Sequence, residues 1–450
     1  MVTRRRKEVN IEYSTITIIK LFSALLVDAE MKILFISEYY RPEVRGGGEI
    51  NLAAVAQGLK RAGVEVLVLT SFFPALARYE EQEGVKIYRR LKTGTDPSRW
   101  LSNVQRRLLF PRSIIKEVKI LAAETSFDLI HCLGTSIIAA PHLKKWNKPL
   151  FATIESYPTL CPKGDRLYQG TKECKLVCTL PHFLRCQAKS NEIGKMKNRW
   201  YLKYNVPLLL YIYWYYRRLN TALPHCQLTA ISTYVQKLLA QHQIHRVTVI
   251  PNIIDREKFS SFGFSSFPKL RILYLGSLIE SKGPQILLEA IRGIECRCDL
   301  YGDGILKERL SRFIEQQHLD AQIHAAVPQE NVPALYAQAD LVVFPSLWPE
   351  PFGRIALEAQ ASGVPLIASA TGGIPELVSP GKGLLVEPGN SEELRRAIMT
   401  FLGRRKGEIT PVGLQHYSSK AVVSALLSLY QRAVQDSAEQ HSVGYKKTER

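Results

Sequence analysis

Long hydrophobic runs and cysteines are scarce in this sequence. No uninterrupted apolar stretch in its 450 residues reaches the roughly 18 residues that a membrane-spanning helix needs. The apolar stretch 15–27 contains Lys20 and lacks a small-residue cleavage pattern, so we do not expect a secretory signal. Eight cysteines are too few for a disulfide-stapled scaffold. These absences favour a cytoplasmic protein in which residues 1–30 form a loose extension before the first convincing strand at Met31.

Acidic residues are scarce too, but only in the first half of the chain. Residues 1–250 hold 38 Lys and Arg against 19 Asp and Glu, whereas residues 251–450 hold 22 of each, so the first half carries the whole net charge of +19. This asymmetry indicates an anionic partner such as lipid headgroups, a lipid pyrophosphate or nucleic acid, or else a general bias toward solubility. No nucleic-acid-binding motif accompanies the basic residues, which argues against nucleic acid.

The length and the order of the patterns predict two α/β domains. A buried strand, a glycine loop and a helix follow one another from Met31, and the same order restarts at Leu270. Short buried strands that alternate with helices are typical of parallel, doubly wound sheets. We place the first, basic domain at residues 31–250, a linker at 251–268 and the second domain at 269–417.

The most informative stretch is 345–378, which contains Glu350 and Glu358 with seven residues between them. Its pattern predicts a strand, a glycine loop, a helix, a second strand and a second glycine loop. Such a unit presents a helix N-terminus and free amides at one side of a parallel sheet, where an anionic ligand binds. The stretch strongly resembles the retaining glycosyltransferases of family 4. Their GT-B fold has two Rossmann-like domains, each a doubly wound parallel sheet, that face each other across a cleft.

The resemblance covers residues 31–435 and implies a site for a nucleotide-diphosphate sugar as donor, with no cofactor. Lys282 corresponds to a ligand of the diphosphate, where it would stabilise departing charge. Glu350 corresponds to the carboxylate near the donor sugar, and Glu358 to the one that accepts hydrogen bonds from the ribose hydroxyls. The remaining donor-binding positions are backbone amides and a glycine loop on the opposite wall, namely Phe352, Gly353, Gly46, Gly47 and Gly48.

Two positions depart from the family pattern. Ser277 stands where the family usually has an arginine that contacts the diphosphate, so we expect weaker donor binding or compensation by a basic residue of the first domain. Glu155 stands where the family commonly has a histidine. A carboxylate can still bind a sugar hydroxyl or act as a base, so Glu155 is a catalytic and acceptor-side candidate. His131 is either a second acceptor-side candidate or a satisfied core histidine.

Four cysteines cluster in the first half, at Cys161, Cys174, Cys178 and Cys186, with His182 among them. Structural zinc sites favour closely paired cysteines, and this cluster has no C-x2-C pair. A structural metal site is therefore one alternative, and ordinary cysteines or a redox-sensitive loop are the others. The resemblance also implies catalysis without a metal.

An aromatic-rich segment bounded by Arg199 and Arg218 is a candidate for membrane contact. Aromatic and apolar side chains flanked by arginines are typical of a helix at the membrane interface, but also of a buried helix that contains tyrosines. Pro207 interrupts a single amphipathic helix.

We therefore expect a retaining, metal-independent hexosyltransferase of cell-envelope glycan synthesis. It would transfer a sugar to a hydroxyl of a lipid-linked or polysaccharide acceptor, in peripheral contact with the cytoplasmic face of an anionic membrane. The resemblance further implies that a last helix at 418–435 packs back on the first domain. Alternatives are a glycosidase with two catalytic carboxylates, a sugar-nucleotide epimerase on the same fold, an inactive or divergent relative, and a non-catalytic membrane or nucleic-acid binding protein.

Overall fold

The computed structural model describes seven stretches of the chain, namely residues 31–94, 100–170, 172–190, 204–260, 269–378, 383–402 and 413–448. The predicted extension 1–30, residues 261–268 of the predicted linker and residues 199–203 of the aromatic segment lie outside the described residues. The predicted domain boundaries stay predictions.

The strands, numbered in chain order, fall into two large sheets and one small hairpin. They are β1 (Lys32–Ile36), β2 (Glu65–Ser71), β3 (Tyr79–Gln82), β4 (Val85–Leu91), β5 (Leu129–Leu133), β6 (Leu150–Ile154), β7 (Leu167–Tyr168), β8 (Lys172–Glu173), β9 (Gln227–Ala230), β10 (Val247–Val249), β11 (Leu270–Leu275), β12 (Cys296–Tyr301), β13 (Ala321–His324), β14 (Leu341–Phe344), β15 (Leu366–Ser369) and β16 (Gly383–Val386).

The α-helices of the described residues flank these sheets. They are α1 (Gly47–Arg61), α2 (Trp100–Glu124), α3 (Ala140–Leu143), α4 (Leu180–Lys189), α5 (Val206–Ala222), α6 (Thr233–Gln241), α7 (Arg256–Ser260), α8 (Pro284–Ala290), α9 (Lys307–Gln316), α10 (Val332–Ala337), α11 (Arg354–Ala361), α12 (Ile374–Leu377), α13 (Ser391–Met399) and α14 (Ser419–Thr448). None of them is both long enough and apolar enough to cross a membrane.

The first sheet has the strand order β10-β9-β6-β5-β1-β2-β4-β3, and every pair is parallel except β3 with β4. The second sheet, β13-β12-β11-β14-β15-β16, is parallel throughout. β1 and β2 are buried along almost their whole length, as expected of strands that helices cover on both faces. The antiparallel edge strand β3 and the long helix α2 were not predicted from the sequence.

Both sheets reverse their strand order next to their first strand. β1 lies between β2 and β5, and β11 lies between β12 and β14. Ligands of doubly wound sheets bind at such switch points, outside the carboxyl ends of the strands. The topology therefore predicts a ligand site at the loops that follow β1, β11 and β14.

The last helix, α14, packs on α1 beside the first sheet. Val422, Val423, Leu426 and Tyr430 of α14 are buried in one cluster with Leu52 and Leu59 of α1. Gly58 permits this contact, because a Cβ atom there would lie 2.6 Å from Val423 Cγ2 and 2.8 Å from Ser419 Oγ. Val423 is β-branched and has few alternative rotamers that would relieve the clash.

We predict that Gly58→Ala destabilises the protein, although alanine is the better helix former. The overpacking should lower the free energy of unfolding by about 1–3 kcal/mol, measured by chemical denaturation. The same substitution should cost less in a Val423→Ala background, since that change opens the space. A more stable Gly58→Ala variant would show that α14 does not press on α1 here.

Candidate functional site

The glycine loop after β1 forms one wall of the cleft. Gly46 and Gly47 are exposed, α1 begins at Gly47, and the N–H of Gly46 donates to Glu49 Oε2 at 2.8 Å. This wall thus presents backbone rather than side chains, which suits a ligand that approaches the main chain closely.

Glu155 follows β6 and packs directly against this loop. A Cβ atom on Gly48 would lie 2.5 Å from Glu155 Oε1, so any larger residue at position 48 would displace the Glu155 carboxyl group. Glu155 Oε2 is enclosed and has no hydrogen-bond partner among the described residues. Burial, and then the nearby carboxylate of Glu49, raise the pKa of Glu155 to about 8. Glu155 is therefore mainly a neutral acid at pH 7, able to donate a hydrogen bond.

His131 does not face the cleft, and this corrects its role as an acceptor-side candidate. It is 2% exposed, with Nδ1 2.5 Å from Tyr430 Oη and Nε2 2.8 Å from Thr153 Oγ1. Its ring also stacks on Phe35 with centroids 5.3 Å apart. Burial lowers its pKa to about 3, so the ring is neutral. His131 is the satisfied core histidine that the sequence left as an alternative.

The second domain brings Lys282 and Glu350 together at the carboxyl ends of β11 and β14. Lys282 Nζ lies 2.6 Å from Glu350 Oε1 and 4.0 Å from the centroid of the Trp348 ring. Ser346 Oγ donates to the same carboxylate oxygen at 3.0 Å. Glu350 is 7% exposed, whereas the Lys282 side chain remains 22% exposed. The ammonium group is therefore held by Glu350 and Trp348 while part of the side chain stays accessible.

Glu358 is buried one turn into α11 and is surrounded by donors. Arg354 Nε donates to its Oε1 at 2.8 Å, and Tyr336 Oη donates to its Oε2 at 3.1 Å. Gln329 Nε2 adds a longer contact of 3.4 Å to Oε1. Phe352 and Gly353 are also buried, at the start of this helix, so their amides lie between the two glutamates along the chain.

Ser277 lies in the loop after β11 and is exposed. Its carbonyl oxygen accepts a hydrogen bond from Tyr274 Oη at 3.0 Å, which fixes the loop backbone. This position therefore contributes no cation to the second-domain wall.

The first domain holds the backbone on both sides of Glu350. Tyr157 Oη donates to the carbonyl of Pro349, and Ser232 Oγ donates to that of Pro351 at 2.5 Å. From the other direction, Glu376 accepts from the N–H groups of Thr233 (2.8 Å) and Tyr234 (2.5 Å) at the start of α6. The two walls are thus joined by direct hydrogen bonds around the candidate site.

The clustered cysteines line a pocket that does not include Lys282, Glu350 or Glu358. Cys161, Cys174, Cys178 and Cys186 line one pocket with His182, and Cys174 Sγ is 3.5 Å from His182 Nε2. All eight cysteines are free, and the described residues contain no group of three or more His, Cys, Asp or Glu that could hold a metal ion. Burial, and then the neighbouring thiols, raise the pKa of Cys178 to about 12, so it stays a thiol.

Arg354, Ser232 and Tyr157 are among the residues of this site that the sequence analysis did not identify. Arg354 could have been found from its position four residues before Glu358 on a helix, where opposite charges meet. Ser232 and Tyr157 carry no such signal, since their partners lie 119 and 192 residues away.

Two family models match the chain, one for each half. The model described as Glycosyltransferase Family 4 matches residues 45–258, and the one described as Glycosyl transferases group 1 matches residues 255–408.

Two relatives come from Methanocaldococcus jannaschii, and both are uncharacterized glycosyltransferases. The first is 28% identical over 182 residues, which are 40% of this chain and 50% of the relative, so the match spans about half of that protein. The second is 25% identical over 389 residues, which are 81% of this chain and 87% of the relative.

Solved structures share the architecture. Sucrose-phosphate synthase from Thermosynechococcus elongatus has a TM-score of 0.62 at 19% identity, over 93% of this chain and 100% of that one. HepE from Anabaena, solved with UDP and glucose, has a TM-score of 0.59 at 20% identity, over 89% of this chain and 99% of that one. At these identities the likeness shows the fold.

We predict that Glu155 makes stability depend on pH. Its pKa is about 8 in the folded chain and near the ordinary 4.5 in the unfolded chain, so the folded chain holds more protons between these values. Stability should then fall as the pH rises from about 5 to about 8. Glu155→Gln stays neutral and should lack this fall. The melting temperature of the variant, relative to that of the wild type, should therefore increase as the pH rises from about 5 to about 8.

Differential scanning fluorimetry at several pH values checks this prediction. Glu308→Gln, which changes an exposed carboxylate of α9, serves as the control and should follow the wild type. Parallel curves for wild type and Glu155→Gln would contradict the raised pKa.

Proposed function

The chain belongs to the family 4 (group 1) glycosyltransferases and has the predicted GT-B fold, and from this membership we propose that it is a retaining, metal-independent hexosyltransferase. It transfers a sugar from a nucleotide-diphosphate donor to a hydroxyl of a lipid-linked or polysaccharide acceptor in cell-envelope glycan synthesis. The donor binds mainly to the second domain, and the acceptor binds to the basic first domain.

The pairing of Lys282 with Glu350 carries this proposal. The diphosphate leaves with the electrons of the glycosidic bond, so the site must stabilise negative charge. Lys282 supplies a positive charge at the carboxyl end of β11, and Glu350 keeps it in place until the donor arrives. HepE, which shares the fold, was solved with UDP and glucose, and this supports a nucleotide sugar as donor.

The arrangement favours transfer over glycosidic hydrolysis. A glycosidase needs one carboxyl group that delivers a proton and a second that attacks or activates water. Here Glu350 faces Lys282 and Glu358 faces Arg354, so both carboxylates are occupied in holding cations. A diphosphate needs no added proton to leave. In a retaining transfer on this fold, the leaving phosphate itself takes the proton of the acceptor hydroxyl on the same face.

Closure of the cleft protects the donor from water. The contacts of Tyr157 and Ser232 with the Pro349 and Pro351 carbonyls bring the first domain against the loop that carries Glu350. Exclusion of water limits hydrolysis of the donor and strengthens the electrostatic interactions inside the site.

A thermal-shift panel with UDP, GDP, ADP and their sugar conjugates tests the proposed function. A ligand that binds only the folded chain raises its melting temperature, so one nucleotide family should give a clear shift. Lys282→Ala should abolish much of that shift and reduce turnover by about 100-fold or more. Lys258→Ala, which removes an exposed lysine with a 70% exposed side chain, should behave as the wild type.

Near-normal turnover of Lys282→Ala would rule out its role at the diphosphate. A panel with no shift at millimolar concentrations would favour the inactive-relative alternative.

Membrane contact forms part of the proposal, and one face of α5 supports it. Val206, Leu210 and Trp214 recur every four residues and are 53%, 44% and 45% exposed. The Arg218 guanidinium continues this line, 5.2 Å from the centroid of the Trp214 ring. No Asp or Glu occurs between Glu192 and Asp255, so the surrounding sequence is purely basic. An apolar stripe beside arginines fits the headgroup region of an anionic bilayer.

We predict that Leu210→Ser with Trp214→Ser weakens binding to vesicles of phosphatidylglycerol and phosphatidylcholine, measured by co-sedimentation. The nucleotide-induced thermal shift should not change, because the stripe is remote from Lys282 in the chain and on the opposite domain. Met399→Ser, which removes a 50% exposed apolar side chain of the second domain, is the matched control. Undiminished vesicle binding by the double variant would exclude this face as the docking surface.

A further inference from the structure

Arg354 holds a guanidinium group at the cleft with only part of its hydrogen-bonding capacity used. Its Nε donates to Glu358 Oε1 at 2.8 Å, and its side chain is 19% exposed. Its Nη1 is enclosed and has no hydrogen-bond partner among the described residues. A buried guanidinium N–H without a partner is costly, and proteins normally pair such groups. The partly exposed guanidinium group therefore has donor capacity left for an anionic oxygen in the cleft.

Arg354 also lies between the two walls. It is the first residue of α11 on the second domain, and its Cδ comes within 3.7 Å of the position that a Cβ atom on Gly47 would occupy. The side chain therefore spans from the buried Glu358 to the glycine loop of the first domain.

The covalent order of a nucleotide sugar then locates the diphosphate. Its ribose and its sugar flank the two phosphates. In the proposed function the ribose binds at Glu358 and the sugar lies near Glu350, so the phosphates lie between these carboxylates. Arg354 is four residues after Glu350 and four before Glu358. Its side chain lies next to Gly47, in the glycine loop of the first domain.

We propose that Arg354 binds the donor diphosphate and supplies the positive charge that Ser277 lacks. This assignment rests on the proposed function and names one more residue of the same site. A guanidinium group matches phosphate oxygens with its planar fork and keeps its charge throughout the working pH range. The sequence suggested that a basic residue of the first domain would compensate for Ser277, whereas the structure offers one from the second domain.

The first experiment compares binding of a nucleoside diphosphate and of its parent nucleoside by calorimetry. The probe is whichever of UDP, GDP and ADP binds the wild type. Arg354→Gln should weaken binding of the diphosphate by about 10- to 100-fold, as expected for loss of charged hydrogen bonds, and leave binding of the nucleoside nearly unchanged. Arg292→Gln, which removes a 50% exposed arginine paired with Glu289, should change neither.

A charge relocation provides the second experiment. Ser277→Arg in the Arg354→Gln background should restore most of the lost affinity for the diphosphate. Ser277→Arg alone should tighten binding of the diphosphate, and this variant leaves the Arg354–Glu358 pair intact, so it remains informative if Arg354→Gln folds poorly.

Two results would overturn the assignment. Arg354→Gln could bind the diphosphate as the wild type does, or it could lose affinity for nucleoside and diphosphate equally, which would mean that Arg354 acts only by orienting Glu358. A wild type that binds none of the three diphosphates would instead overturn the proposed function, and the assignment with it.

Discussion

The rest of the site depends on how the first domain holds the backbone around Glu350. Tyr157 and Ser232 donate to the carbonyl groups of Pro349 and Pro351, immediately before and after this glutamate. The N–H of Gly373 donates to the carbonyl of Glu350 itself at 2.7 Å. The peptide is therefore fixed from two domains at once. Since Glu350 in turn pairs with Lys282, the contacts between the two domains also help to position this cation. In the proposed transfer, preorganisation of this kind would lower the barrier by fixing these groups before the donor reacts.

The second glycine loop, which contains Gly372 and Gly373, also packs against the backbone of Glu350. A Cβ atom on Gly372 would lie 2.2 Å from the carbonyl oxygen of Glu350, and the residue has a φ of +61°, so glycine is required there for both contact and conformation. Three residues after Gly373, the carboxylate of Glu376 accepts from two N–H groups at the start of α6. A negative charge at a helix N-terminus is favourable. One short segment thus supports Glu350 from within its own domain and ties that domain to the other.

The sequence predicted what local patterns encode. Buried strands are recognised from runs of apolar residues, and the loops between them from their glycines. Lys282, Glu350 and Glu358 are recognised because their spacing and the strands, helices and glycine loops around them resemble family 4. Partners across the cleft could not be read in this way, because Ser232 and Pro351 are far apart in sequence. His131 shows a related limit. It lies in the middle of the buried strand β5, but alternate residues of a strand face opposite sides, and only the packing of Phe35 and Tyr430 around the ring shows that it is enclosed. Strand β3 was missed because its residues are polar and mostly exposed at the sheet edge.

Glu155 stands where the family commonly has a histidine. This difference changes the chemistry of the first-domain wall less than the formal charge of a glutamate suggests. In the proposed function, a fully ionised carboxylate next to Glu49 would repel the diphosphate of the donor. Burial against Gly48 instead keeps a proton on Glu155 near neutral pH, so the wall gains no full negative charge from this residue. A neutral carboxyl group both donates and accepts hydrogen bonds, as a neutral imidazole does. In the proposed function, the close packing of Glu155 against Gly48 therefore also allows a glutamate to lie beside an anionic donor.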